Sequence, residues 1–274
     1  MCGSHGAHTH EKDYAELFTI RSNEKVMTQT SAMGHVSDFK AASNREELAA
    51  FDDYYVAERS KLLRDFDKNI EKYGRGILAS HYGDDQADTI LKESHREYEA
   101  LIPKIPYVGG KKNPLETYLI QSAWALALFR ALKNHGRNAE ETGGICYEMI
   151  EAQLYSHPRL LLNLVGRWYF ARYRSNWKKG AAKSQRRLYP ADWVWSFVQD
   201  GEEFDFGVDM TECAICKFFH AQGADELTPY MCRTDFAVSK ALNMGLVRTK
   251  TIADGGEKCD FRYKRGRATK QGGF

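Results

Sequence analysis

The chain has 274 residues, of which 43% are hydrophobic and 28% charged, enough for one large domain or two small ones with a substantial buried core. Its 39 basic and 37 acidic residues leave a formal charge of +2, which argues against a nucleic-acid binder that needs an electrostatic excess. No apolar run is long enough to span a bilayer, and "MCGSHGAHTHEKDY" lacks the core of a secretory signal, so a cytoplasmic location is expected, with no membrane partner and with cysteines kept as thiols.

Residues 1–40 read as a largely disordered or extended segment. Its His5, His8 and His10 lie among Gly, Ser and Ala, with nothing nearby to fix a metal geometry. Residues 41–189 read as helical. "SNREELAAFDDYYVAERSKLLRDFDKNIEKYG" predicts one long helix, capped by Ser43 or Asn44 and closed by Gly74, with Leu48, Phe51, Tyr55, Leu62 and Phe66 at helical spacing. A second helix is expected from about 84 to 101, broken by Pro103 and Pro106. In "NPLETYLIQSAWALALFRALKNHG" Asn113 caps, Pro114 opens and Gly136 closes a helix apolar nearly all round, which predicts the buried central element. "NAEETGGICYEMIEAQLYSH" is helical despite Gly143 and Gly144, whose pairing suits close helix contact, and Cys146 falls on its apolar face as core. Pro158 opens a further helix, and "KKGAAKSQRR" (178–187) reads as a solvated basic loop.

After Pro190 the period changes from helical to alternating. "DWVWSFVQDGEEFDFGVDMTE" predicts a hairpin turning at Asp200-Gly201. A short helix ending at Gly223 follows, then a longer one with Pro229 in its first turn. A second hairpin has Asp254-Gly255-Gly256 at its tip. The fold class expected is therefore α+β: an N-terminal helical bundle packed on a small, mostly antiparallel C-terminal sheet of ββααββ order over 190–265, with 266–274 as a disordered tail.

Three of the six cysteines lie in "TECAICKFFHAQGADELTPYMCRTDF". Cys213 and Cys216 form a C-x2-C at a strand-to-helix junction, where helix N–H groups lower a thiol pKa. Cys232 precedes Asp235 by three residues, so thiol and carboxylate share one helical face. His220 lies one turn beyond Cys216 and is a candidate base; Cys259 lies on the last strand beside Asp260. Three readings stay open for these thiols: catalysis, packing, or four zinc ligands at Cys213, Cys216, Cys232 and Cys259.

The motifs carry a resemblance. Cys213 before a short helix, Gly223 to Leu227 as Gly-Ala-x-Glu-Leu, Cys232 with Asp235, Thr251 with Gly255 and Gly256, and Cys259 to Arg262 as Cys-Asp-Phe-Arg together resemble the C-terminal signature of the L-2-amino-thiazoline-4-carboxylic acid hydrolase family. The resemblance implies hydrolysis of a C–N bond in a small cyclic amide or amidine, with a small-molecule substrate and no cofactor required; a homo-oligomer is compatible. The same segment is similar to the vinyl-reductase-type domains that bind small molecules and often hold zinc through cysteines. There Cys232 and Cys259 would correspond, Thr251 would replace the third ligand, and Cys213 or Cys216 would have to complete the site.

The catalytic set expected is Cys232 as nucleophile or water-positioner, Asp235 beside it, Cys259 lining the pocket and His220 as acid or base. Cys213, Arg262 and His81 are candidate substrate-binding residues, with Arg262 or the 178–187 segment facing a substrate carboxylate. His95, Trp124, Tyr147 and Trp168 are further candidates for the helical wall of the pocket. Two alternatives use the same pocket: zinc-assisted hydrolysis, and a non-enzymatic ligand sensor.

Overall fold

A computed structural model describes residues 53–271. The N-terminal segment, its histidines, and the Ser43, Asn44, Leu48 and Phe51 positions lie outside the described residues. The helices are α1 (Tyr54–Ala57), α2 (Arg59–Tyr73), α3 (Arg75–Tyr82), α4 (Asp84–Leu101), α5 (Glu116–Asn134), α6 (Ala139–Tyr155), α7 (Arg159–Ser184), α8 (Ala214–Ala221) and α9 (Thr228–Ala241). The strands are β1 (Val194–Val198), β2 (Phe206–Glu212), β3 (Leu246–Arg248), β4 (Cys259–Tyr263) and β5 (Lys270–Gln271).

The α+β reading holds: a helical bundle backs a small sheet of order β1-β2-β4-β3-β5. β1, β2, β4 and β3 pair antiparallel, and two-residue β5, inside the segment read as a tail, joins β3 in parallel. One contiguous core runs from Tyr55 and Phe66, through Leu119 and Phe170, to Phe206 and Tyr263, so sheet and bundle share it. A second cluster sets Leu78 and Ile90 against Leu128, Leu132 and Ile145. Both lean on α5, which buries eleven of its nineteen residues, as its nearly all-round apolarity predicts.

Local chemistry accounts for most boundaries. Asn138 and Glu141 form a reciprocal capping box at α6. Asn113 Oδ1 accepts from the Leu115 N–H at 2.9 Å, so Asn113 caps α5 although the regular helix begins at Glu116. Gly136, at φ +76°, closes α5 while the Arg137 N–H returns to the Leu132 carbonyl. Gly74 does end α2, but in right-handed helical backbone, so the chain resumes at once as α3.

Two expectations are corrected. The segment 178–187 is not a loop, because α7 runs on to Ser184. Gly180 gives the Trp195 indole room to approach, since a Cβ there would lie 2.5 Å from Trp195 Cζ2, and the buried Ser184 hydroxyl serves the Trp195 backbone. The β1–β2 connection is longer than a two-residue turn at Asp200-Gly201: Val198 pairs with Gly207, and the Gly201 N–H donates to the Phe204 carbonyl.

Candidate active site

Between the bundle and the inner face of the sheet lies a cavity of about 230 Å³. Cys213, Cys216, Cys232, Asp235 and Cys259 all border it, so segments up to 46 positions apart meet in one hollow. Strand alternation explains the sheet's share. On β4 Cys259, Phe261 and Tyr263 face the cavity, with Met210 of β2 directly opposite Cys259. On α9 the three-residue spacing turns Cys232 and Asp235 to the same wall.

The buried anchor of this wall is Arg248, at the end of β3 and 1% exposed. Its Nη1 donates to Asp235 Oδ2 at 2.7 Å and its Nη2 to the Cys232 carbonyl at 2.6 Å. Its guanidinium lies between the Phe236 and Phe261 rings, at 5.0 and 4.9 Å from their centroids. Sequence reading missed it. The signal was there: Leu246 and Arg248 share one face of a strand, and an arginine on a buried face requires a counter-charge. Burial raises the Asp235 pKa while Arg248 opposes the rise. Asp235 nevertheless keeps 46% of its side chain open, on the cavity side.

The sulfurs differ from one another. Cys213 follows β2 and occupies the N-cap of α8 in extended backbone. Its pKa is pushed down to about 7, first by the Cys216 thiol donating to its sulfur, then by the N–H groups of Cys216 and Ile215 and the Trp193 side chain, against burial. The N–H groups act as dipoles, since neither closes into a full capping bond. Cys216 is driven far up by the same hydrogen bond and by burial, so Cys213 is the member of the pair that ionises first. Burial likewise drives Cys232 well up and Cys259 up to about 12. The Ile252 N–H also donates to Cys259 Sγ at 3.3 Å. Cys146, expected as core, is buried at the cavity wall with its thiol pushed up to about 12 by burial.

Hydroxyls complete the lining. Tyr118 and Tyr169 place their oxygens 3.1 Å apart, and Tyr173 and Tyr263 place theirs 3.5 Å apart. Burial raises the pKa of all four, so they stay protonated donors. None was singled out from the sequence.

Other expected residues lie elsewhere. His220 is 81% exposed and pairs with Asp225 at 3.0 Å, outside the cavity, because it falls on the solvent side of amphipathic α8. Arg262 alternates with Phe261 and Tyr263 on β4, so it faces away from the cavity and pairs with Asp209 at 2.8 Å. His81 pairs with Glu148 at 3.1 Å and His95 with Asp67 at 2.7 Å, both on the bundle surface. Trp124 does line the cavity; Tyr147 does not, and Trp168 points outward. Among the described residues no group of three or more His, Cys, Asp or Glu side chains is placed to hold a metal ion.

Most residues lining this cavity, though not Phe66, Asn69, Ile70 or Leu115, lie in one segment that a known family shares. Residues 117–263 match the family model of L-2-amino-thiazoline-4-carboxylic acid hydrolase. The chain belongs to that family. The match begins in α5 and ends at Tyr263, so it takes in the C-x2-C, the Cys232/Asp235 wall, Arg248 and Cys259 of this hydrolase family member. Searches of curated proteins and of solved structures returned no match.

Proposed function

We propose that the chain is a hydrolase that opens a C–N bond in a small cyclic amide or amidine, with Cys213 as nucleophile and Asp235 as acid and base. The observation that supports this most is the one sulfur of lowered pKa facing the same cavity as an open carboxylate of raised pKa. It moves the nucleophile from Cys232, which burial holds as a thiol, to Cys213. Cys232 then serves through its backbone, as the carbonyl that orients Arg248.

In this reading the Cys213 thiolate adds to the electrophilic ring carbon of the amide or amidine. Asp235, a carboxylate paired with Arg248 at rest, takes the proton that Cys213 releases and gives it to the departing ring nitrogen, and the C–N bond breaks to leave a thioester or thioimidate on the enzyme. Asp235, now a carboxylate, takes a proton from water as the water attacks that carbon; the Cys213–carbon bond breaks, and the thiolate is restored. The net change is addition of one water. Arg248 keeps Asp235 oriented, and the protonated tyrosines can donate to oxygen or nitrogen developing charge.

The test is turnover of cyclic amidines and amides, a thiazoline carboxylate among them, by wild type, Cys213→Ala, Cys232→Ala and Asp235→Asn. Loss of all turnover in Cys213→Ala with retention of part in Cys232→Ala supports the assignment. The reverse pattern returns the nucleophile to Cys232.

A further inference from the structure

The two faces of α7 differ in kind. The inner face supplies Tyr169, Tyr173 and Trp177 to the cavity. The outer face carries Leu160, Leu164 and Trp168, exposed by 74%, 58% and 61%. Their i, i+4, i+8 spacing puts them in one stripe along the helix. From Arg159 to Arg187 the chain has nine basic residues and no acidic one, which leaves the rest net negative. Arg174 pairs with Asp200 and Arg187 with Glu212. Arg159, Arg167, Lys178, Lys179, Lys183 and Arg186 are exposed and make no ion pair among the described residues. Arg172 stacks over the Trp168 ring at 5.7 Å, and Leu188, just after the helix, is 68% exposed.

The geometry points to a peripheral docking surface for an anionic lipid bilayer, with α7 lying in the headgroup plane. Exposed leucines and a tryptophan along one helix face, flanked by unpaired arginines and lysines, are what such a plane takes up. A nucleic-acid phosphate array would meet the charges but leave three large apolar side chains in water. A second copy of the same face would bring like charges together. No membrane partner is expected from the lack of a spanning apolar run, but a helix lying in the surface needs none, and the near-neutral total charge averages this face with the acidic remainder.

The test uses the full chain with vesicles of phosphatidylcholine alone and of phosphatidylcholine mixed with phosphatidylglycerol. Among the five tryptophans only Trp168 is exposed, so its emission reports contact. The expected result is co-sedimentation and a blue shift with anionic vesicles only, both weakened by added salt. The shift disappears in Trp168→Phe. Leu164→Glu lowers affinity about tenfold or more. Lys178→Gln and Lys179→Gln each lower it roughly fivefold. Unchanged near-ultraviolet dichroism separates these effects from misfolding. Equal binding to neutral vesicles, no binding to anionic ones at low salt, indifference to Leu164→Glu, or binding of duplex DNA in place of vesicles would each overturn the assignment.

Discussion

Cys213 and Cys216 sit three positions apart, yet their surroundings move them in opposite directions, and the shared hydrogen bond is the reason. Replacing Cys216 with Ala removes the largest stabiliser of the Cys213 thiolate. The rate of Cys213 alkylation by iodoacetamide, half-maximal near pH 7 in the wild type, should then reach its midpoint at higher pH. An unmoved midpoint would leave the helix amides and the Trp193 side chain as the causes. The same shift has a stability consequence. The folded state releases the Cys213 proton at lower pH than the unfolded chain, so its contribution grows as pH rises from about 7 toward the ordinary thiol range and is lost below. The urea midpoint of wild type relative to Cys213→Ser should therefore rise between about pH 7 and pH 9, the window that shift sets. Arg248 poses a sharper question. Asp235→Asn strands a guanidinium that is 1% exposed, and should destabilise by about 3 kcal/mol in urea unfolding. Arg248→Met with Asp235→Asn should recover much of that loss without recovering activity, because the unpaired buried charge is gone while the proposed acid–base group is still missing.

The adjacent glycines of α6 look alike in the sequence, and the structure separates them. A Cβ on Gly143 would lie 2.3 Å from Tyr230 Cβ, whereas nothing lies within 4 Å of one on Gly144. Gly143→Ala must push α9 away from α6, and α9 carries Cys232 and Asp235. It should cost about 1–3 kcal/mol and lower kcat. Gly144→Ala should stabilise by about 1 kcal/mol through helix propensity, with kcat unchanged. Thermal melts and initial rates on the two variants decide it; equal effects would remove the argument for a required close approach. The hairpins and helices around these positions were legible because alternation, caps and Gly or Pro signals are local. The extension of α7 through 178–184 was not, because it depends on the Trp195 side chain packing on Gly180 from another element. The same limit explains His81 and Arg262. Each has the right residue type near the right motif, but its direction is set by the helix or strand face on which it falls.

At the scale of the whole chain, the family match begins within α5, while α2, α3 and α4 lie before it and still build the core. Leu78 and Ile90 cover Leu128 and Leu132, and Tyr98 and Phe66 enclose Trp124, 6.3 and 6.1 Å away between ring centroids. The α+β class could be read from motif spacing, since each motif names its own element; a common pocket for the cysteines was an expectation that leaned on the family resemblance. The dependence of the family-matched half on the leading helices could not be read that way, because apolar faces do not declare which other face they meet. α5 buries eleven of its nineteen residues, several of them against α4. A chain starting at Asn113 would expose that surface to water, at roughly 25 cal/mol for each Å² of apolar area left uncovered. Such a fragment, holding every residue assigned to the chemistry, should show no cooperative thermal transition and should bind a hydrophobic dye. The full chain should melt in one step. A cooperative melt of the 113–274 fragment, with Cys213 still alkylated near pH 7, would mean that the cavity needs only its own segment to form.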